Sequence, residues 1–293
     1  MFRNQHVVIT GGSSGLGLAL AFALAREGAR ISLIARDPRK LEAAANAIRT
    51  EVRDARVGVK PVDVADEAAA QAAIGELAWS EQGVDVLINS AGILREGYFE
   101  DLAMTDFRQV MDINLFGLLH VTRAALPHLK RSQGRLVNIA SMAGLSGVFG
   151  YTPYCAAKHA LVGLTDSLRY ELAPQGVKVH LVCPAEFDSP MVDALDRSRT
   201  PENRAHTLTI PKTGVEVIVK GTLAGIRAGR FLIVPGTRTR MASFFMRHFP
   251  GITRMVGDRA IRQVYAGPEH HSSSPLIECR ETGLPLGNSK PDD

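Results

Sequence analysis

The sequence is short of the features that mark several common classes. Its three cysteines, Cys155, Cys183 and Cys279, stand too far apart for a disulfide framework or for metal-ligand spacing. No metal is therefore expected, and a reducing, cytosolic setting is. No apolar run of about 18 residues or more occurs, which leaves no candidate membrane-spanning helix. The opening Met1-Phe2-Arg3-Asn4 leads almost at once into an apolar strand, without the basic, apolar, small-residue order of a secretory signal. Aromatic residues make up 6% of the chain, with one tryptophan. They form no stacking ladder and accompany no nucleic-acid motif, so nucleic acid is not an expected partner.

What is present reads as one large soluble domain. The 293 residues are 45% hydrophobic and 22% charged, enough for a single α/β core and short for two. The net charge of +4 is unevenly spread. Residues 227–262 hold eight arginines against one acid, Asp258, so the basic character is local and points to an anionic surface or ligand.

Short β-branched runs alternate with longer Ala/Leu-rich runs. The pattern predicts strands at 6–10, 30–35, 57–62, 84–89, 135–140, 177–182 and 231–234, and helices at 16–27, 38–53, 66–79, 106–130 and 154–172. Near-continuous apolar strands separated by helices predict an α/β fold with a doubly wound parallel sheet of the Rossmann type. Residues 1–235 are expected to form a dinucleotide-binding catalytic domain. Residues 236–266 are expected to form a basic, amphipathic C-terminal extension, and 267–293, rich in Ser, Pro, Gly and charge, a loose tail.

Thr10-Gly11-Gly12-Ser13-Ser14-Gly15-Leu16-Gly17 follows the first strand and opens the first helix. In that context Gly11 allows a tight turn, Gly15 lets backbone approach a pyrophosphate, and Gly17 lets helix and strand pack closely. Ser13, Ser14 and Leu16 complete a turn whose helix N-terminus offers N–H groups to phosphates. The second strand ends in Ala35 where an acid would favour NAD. Arg36 and Lys40 can instead reach a 2′-phosphate, so NADP(H) is the expected cofactor. The bland alternative is a solvated basic pair at a helix start. Asp63 can accept from the adenine amine and Val64 can cover the ring, unless Asp63 is simply a helix cap. Asn89, Ala91 and Gly92 close the fourth strand and leave room for a cofactor ribose.

Tyr154 and Lys158 are four residues apart, so on a helix they share a face. A neighbouring lysine is expected to lower the phenol pKa and fit it to exchange a proton with a carbonyl or alcohol oxygen. Ser141, thirteen residues upstream of Tyr154 at the end of the fifth strand, can hydrogen-bond the same oxygen. Asn114, disfavoured inside a helix, can hold a water that connects Lys158 to solvent.

These residues resemble the short-chain dehydrogenase/reductase family in its single-domain, metal-free form. The likeness runs over about residues 5–190, through the glycine-rich turn, Asn89-Ser90-Ala91-Gly92, Asn114, Ser141 and Tyr154…Lys158. Ser90 stands where the family has a second Asn, and Pro184-Ala185 where it has Pro-Gly. Within the family, the stretch from Gly147 to Tyr154 and the stretch from Pro184 to Pro190 resemble the 3-ketodihydrosphingosine reductases. The resemblance implies an NADP-dependent enzyme acting on CH–OH or C=O, with Ser141, Tyr154, Lys158 and Asn114 as its catalytic set. It adds Pro184 and Ser189 to the cofactor site, and implies a homodimer or homotetramer paired through long helices. Steroid, retinoid and 3-oxoacyl reductases are rival readings. A non-catalytic NADP-binding sensor is a remoter one, since such proteins tend to lose the Tyr/Lys pair.

The substrate is expected against residues 93–104, 144–151 and 186–210, after strands four, five and six. The middle segment carries no fixed charge, which favours a lipophilic substrate. Phenylalanine, methionine and arginine mingle over 238–262, so peripheral contact with the cytosolic face of a membrane is expected there, or packing against a neighbouring subunit.

Overall fold

A computed structural model describes residues 1–267. Strands β1 (His6–Thr10), β2 (Arg30–Ala35), β3 (Arg56–Pro61), β4 (Val86–Asn89), β5 (Arg135–Ile139), β6 (Lys178–Val182) and β7 (Leu232–Ile233) form one parallel sheet. Its order is β3-β2-β1-β4-β5-β6-β7. The order reverses between β1 and β4, and open α/β sheets bind ligands at the carboxyl side of such a switch point. Alternation along β1 shows how both faces are filled. Val7 and Ile9 join one apolar layer with Leu20, Leu24, Leu41 and Ile48. Val8, between them, joins the other with Ile74, Leu87, Val121 and Leu129.

Helices α1 (Gly15–Arg26) and α2 (Pro38–Glu51) cover the first layer, and α3 (Glu67–Ser80) covers the second. The helix expected over 106–130 is broken. It consists of α4 (Met104–Met111), a π-turn at Asp112–Phe116 and α5 (Gly117–Ser132). The break falls at Asn114, whose amide turns away from the helix to grip another segment. Helix α6 (Thr152–Leu172) starts on Pro153 in its first turn and carries Tyr154 and Lys158. Beyond β6 come α7 (Pro190–Leu195), α8 (Pro201–Thr207) and α9 (Val215–Arg227), then α10 (Thr237–His248) and α11 (Pro250–Tyr265) after β7. The tail expected at 267–293 lies, after its first residue, outside the described residues.

Candidate active site

A cleft of about 380 Å³ opens at the switch point. One end is lined by the turn from β1 to α1. Gly11 has φ +67°, and a Cβ there would sit 2.8 Å from the Ala91 backbone. A Cβ on Gly17 would sit 2.5 Å from the Gly11 carbonyl oxygen. Glycine is thus required for the turn to close and for α1 to start against it. Ser14 caps α1 without a side-chain hydrogen bond, so the first-turn N–H groups remain available to an anion. Ser13, Gly15 and Leu16 line the same end, and Ser189 faces Gly15 across the cleft. The Ser189 hydroxyl accepts from Val192 N as the cap of α7. These features fit a dinucleotide.

Arg36 and Lys40 line the far rim. Arg36 lies 3.8 Å from the Asp63 carboxylate, both being half exposed. Asp37 is committed to capping α2, accepting from Arg39 N at 2.9 Å and Lys40 N at 3.1 Å. The Lys40 amide leads the causes that hold its carboxyl below the usual range. Asp63 Oδ1 accepts from Ala65 N, and Asp66 is the residue that caps α3. Val64, Ala91, Gly92 and Pro184 also line the cleft.

One expected site residue points away from the cleft, and another is tied to a neighbouring segment. Asn89 is 2% exposed, and its amide donates to Thr122 Oγ1 at 2.9 Å and Asn138 Oδ1 at 3.0 Å. Strand alternation turns this side chain into a buried ladder between β4 and β5, so only its neighbours reach the cleft. Asn114 is 1% exposed. Its Oδ1 accepts from Ile93 N at 2.7 Å and its Nδ2 donates to Ile93 O at 2.8 Å. The side chain thereby holds Ile93 in place, and it stands close to Lys158: a Cβ on Gly92 would meet Asn114 Oδ1 at 3.2 Å and Lys158 Nζ at 3.8 Å.

The chemical end of the cleft holds Ser141, Tyr154 and Lys158 together. The Ser141 hydroxyl accepts from Ala143 N at 3.1 Å and is near enough to the Tyr154 phenol to favour its ionised form. Lys158 is 5% exposed and donates to Ile139 O at 2.9 Å, with Nζ 5.6 Å from the Tyr154 ring centre. Burial pulls Lys158 down to about 8. The expected lowering of the Tyr154 pKa is not found: the phenol is pushed up to about 12. Burial leads, and it outweighs the lowering by the nearby Ser141 hydroxyl. Lys158 aims its ammonium at a backbone carbonyl, which leaves Tyr154 a neutral acid held ready at the cleft.

The segments that cover this end are the ones expected from the sequence, but the side chains that join them are not singled out there. Tyr151, one turn before Tyr154, is 5% exposed, and its ring lies edge-on to Tyr154 at 5.8 Å. Glu186 lines the cleft and takes a forked pair of bonds from Arg199, at 3.0 and 2.7 Å. Arg199 also meets Asp196 at 3.0 Å and Asn203 at 2.6 Å. Asn203 donates to Phe149 O, and Thr200 donates to Glu96. One buried network therefore ties together the segments after β4, β5 and β6. Within these segments the sequence also carries Ser189-Pro190 and Thr200-Pro201, helix caps followed by proline at the first helical position.

Residues 5–200 match the short chain dehydrogenase family model. The chain belongs to the short-chain dehydrogenase/reductase family. It is 36% identical to the 3-ketodihydrosphingosine reductase of Bos taurus over 228 residues, 75% of this chain and 69% of that one. It is 33% identical to the 3-dehydrosphinganine reductase of Danio rerio over 231 residues, 76% of this chain and 70% of that one. Levodione reductase, a solved structure, superposes with a TM-score of 0.75 at 30% identity, covering 82% of this chain and 99% of the other. The protein is accordingly an oxidoreductase acting on CH–OH or C=O with a nicotinamide dinucleotide, NAD(H) or NADP(H).

Proposed function

We propose that the protein is an NADPH-dependent reductase of a lipophilic ketone, and that the ketone is 3-ketodihydrosphingosine, reduced to dihydrosphingosine. One observation carries this reading: a single cleft runs from Arg36 and Lys40 to Ser141, Tyr154 and Lys158. Two cations at the adenosine end, with Asp37 withdrawn into a helix cap, suit a 2′-phosphate. The substrate end is lined by Leu94, Tyr151, Phe187, Met191 and Val192, which suits an aliphatic ketone. The sphingoid assignment is supported by the two relatives of that name.

The cofactor, when bound, supplies the hydride to the carbonyl carbon. Ser141 orients the carbonyl oxygen and stabilises the charge that develops there. Tyr154, neutral at physiological pH, gives that oxygen its proton. Lys158, with a pKa near 8, can pass on a proton to restore the phenol. Asn114 keeps Ile93 and Gly92 in place beside Lys158.

The test is cofactor oxidation, followed at its absorbance, by purified protein with 3-ketodihydrosphingosine in detergent micelles. Steroid, retinoid and 3-oxoacyl carbonyls run in parallel, each with NADPH and with NADH. Turnover of the sphingoid ketone with NADPH above the rest is expected. Faster turnover of another carbonyl would replace the substrate, and equal use of NADH would remove the role given to Arg36.

A further inference from the structure

Outside the cleft, α10 and α11 leave large apolar side chains in water. Met241, Phe244, Phe245, Phe249, Ile252 and Met255 are each between 42% and 63% exposed. Phe244 and Phe245 lie 5.9 Å apart, and Phe245 and Phe249 5.8 Å apart, so the rings form one cluster where the two helices meet. On the same two helices Arg238, Arg240, Arg247, Arg254, Arg259 and Arg262 are all exposed and form no ion pair among the described residues. Asp258 is the one acid on the two helices. A contiguous apolar patch with a basic rim marks an interaction surface.

We infer that the α10–α11 hairpin docks on an anionic lipid bilayer. Charge decides the partner. A second copy would bring two arginine-rich faces together, whereas a bilayer with anionic headgroups neutralises the guanidinium groups and accepts the rings at its acyl boundary. No helix of the described residues is long and apolar enough to cross a membrane, so the contact is interfacial. The hairpin also touches the substrate cover. Gly257 of α11 lies against His206, where a Cβ would sit 2.8 Å from Nε2. His206 Nδ1 accepts from Phe149 N at 3.1 Å, two residues before Tyr151. A docked hairpin thus sets the substrate mouth close to lipid. The inference rests on this surface and not on which ketone is reduced.

The full chain is sedimented with vesicles of phosphatidylcholine alone, or of phosphatidylcholine mixed with phosphatidylglycerol, at low and high salt. Binding to the mixed vesicles only, weakened by salt, is expected. A Phe244→Ser/Phe245→Ser/Phe249→Ser variant is expected to lose binding at least tenfold with its melting temperature unchanged. Each Arg→Gln change at 247, 254 or 259 is expected to weaken binding ~5-fold at low salt. Equal binding to both vesicle types would overturn the charge argument. A dimer that ignores vesicles and is split by the triple substitution would assign the face to a second copy. A monomer that ignores both would assign it to residues 268–293; either result overturns the inference.

Discussion

Lys158 and Arg199 are both cations buried at the substrate end, and they are held in opposite ways. Lys158, 5% exposed, has one backbone carbonyl for company, and burial pulls its pKa to about 8. The Arg199 side chain is 3% exposed, but it forks onto Glu186 and reaches Asp196 as well. Burial works against this cation too, yet the Glu186 bonds and the other nearby anionic partners outweigh it, and its pKa is raised. The paired cation is fixed in charge and holds loops together. The unpaired one sits close to losing its proton, as does no ordinary lysine. Reactivity at this cleft lies where burial goes uncompensated, and rigidity where it is compensated.

The comparison is broken most severely at the clasp. Arg199→Met leaves the Glu186 carboxylate buried without its main partner, and should cost about 3–5 kcal/mol of stability. Thermal melting should read this as a Tm roughly 10 °C lower. Adding Glu186→Gln should recover part of the loss, because no bare carboxylate remains. A single variant that melts like the parent would show that the clasp holds nothing.

Lys158→Met sharpens the comparison with the opposite sign. The folded pKa lies below the ordinary lysine value of 10.5, so between about pH 8 and 10.5 the unfolded chain binds more protons. Lys158 therefore lowers stability fully below pH 8, and the penalty fades as pH rises through that window. The variant should be more stable than the parent by on the order of 1–3 kcal/mol at pH 7, less so at pH 10, and poor in turnover. A variant destabilised equally at both pH values would contradict this picture.

The legible parts of the molecule were local. The glycine turn, and the Tyr154–Lys158 pair on one helix face, depend on residues within a few positions of each other, and periodicity alone gave the parallel sheet. Asn89 was misread because the face it takes depends on the β4–β5 register, which pairs it with Asn138. Asn114 was placed in an unbroken helix because the π-turn answers to Ile93, twenty-one residues away. The clasp joins segments more than a hundred residues apart, as in Glu96 with Thr200, and leaves no periodic trace. The direction of the Tyr154 shift was misjudged for a related reason: the Tyr/Lys spacing is visible in the sequence, and the depth of burial is not.

The account turns on Tyr154 as the acid of the reaction, and one variant tests it most directly. Tyr154→Phe and the parent are compared for NADPH binding by fluorescence and for NADPH oxidation with the sphingoid ketone, over a range of pH. Unchanged binding with turnover reduced about 10²–10⁴-fold at every pH is the predicted result. Turnover within a few-fold of the parent would mean that the proton comes from another group, and would contradict the account.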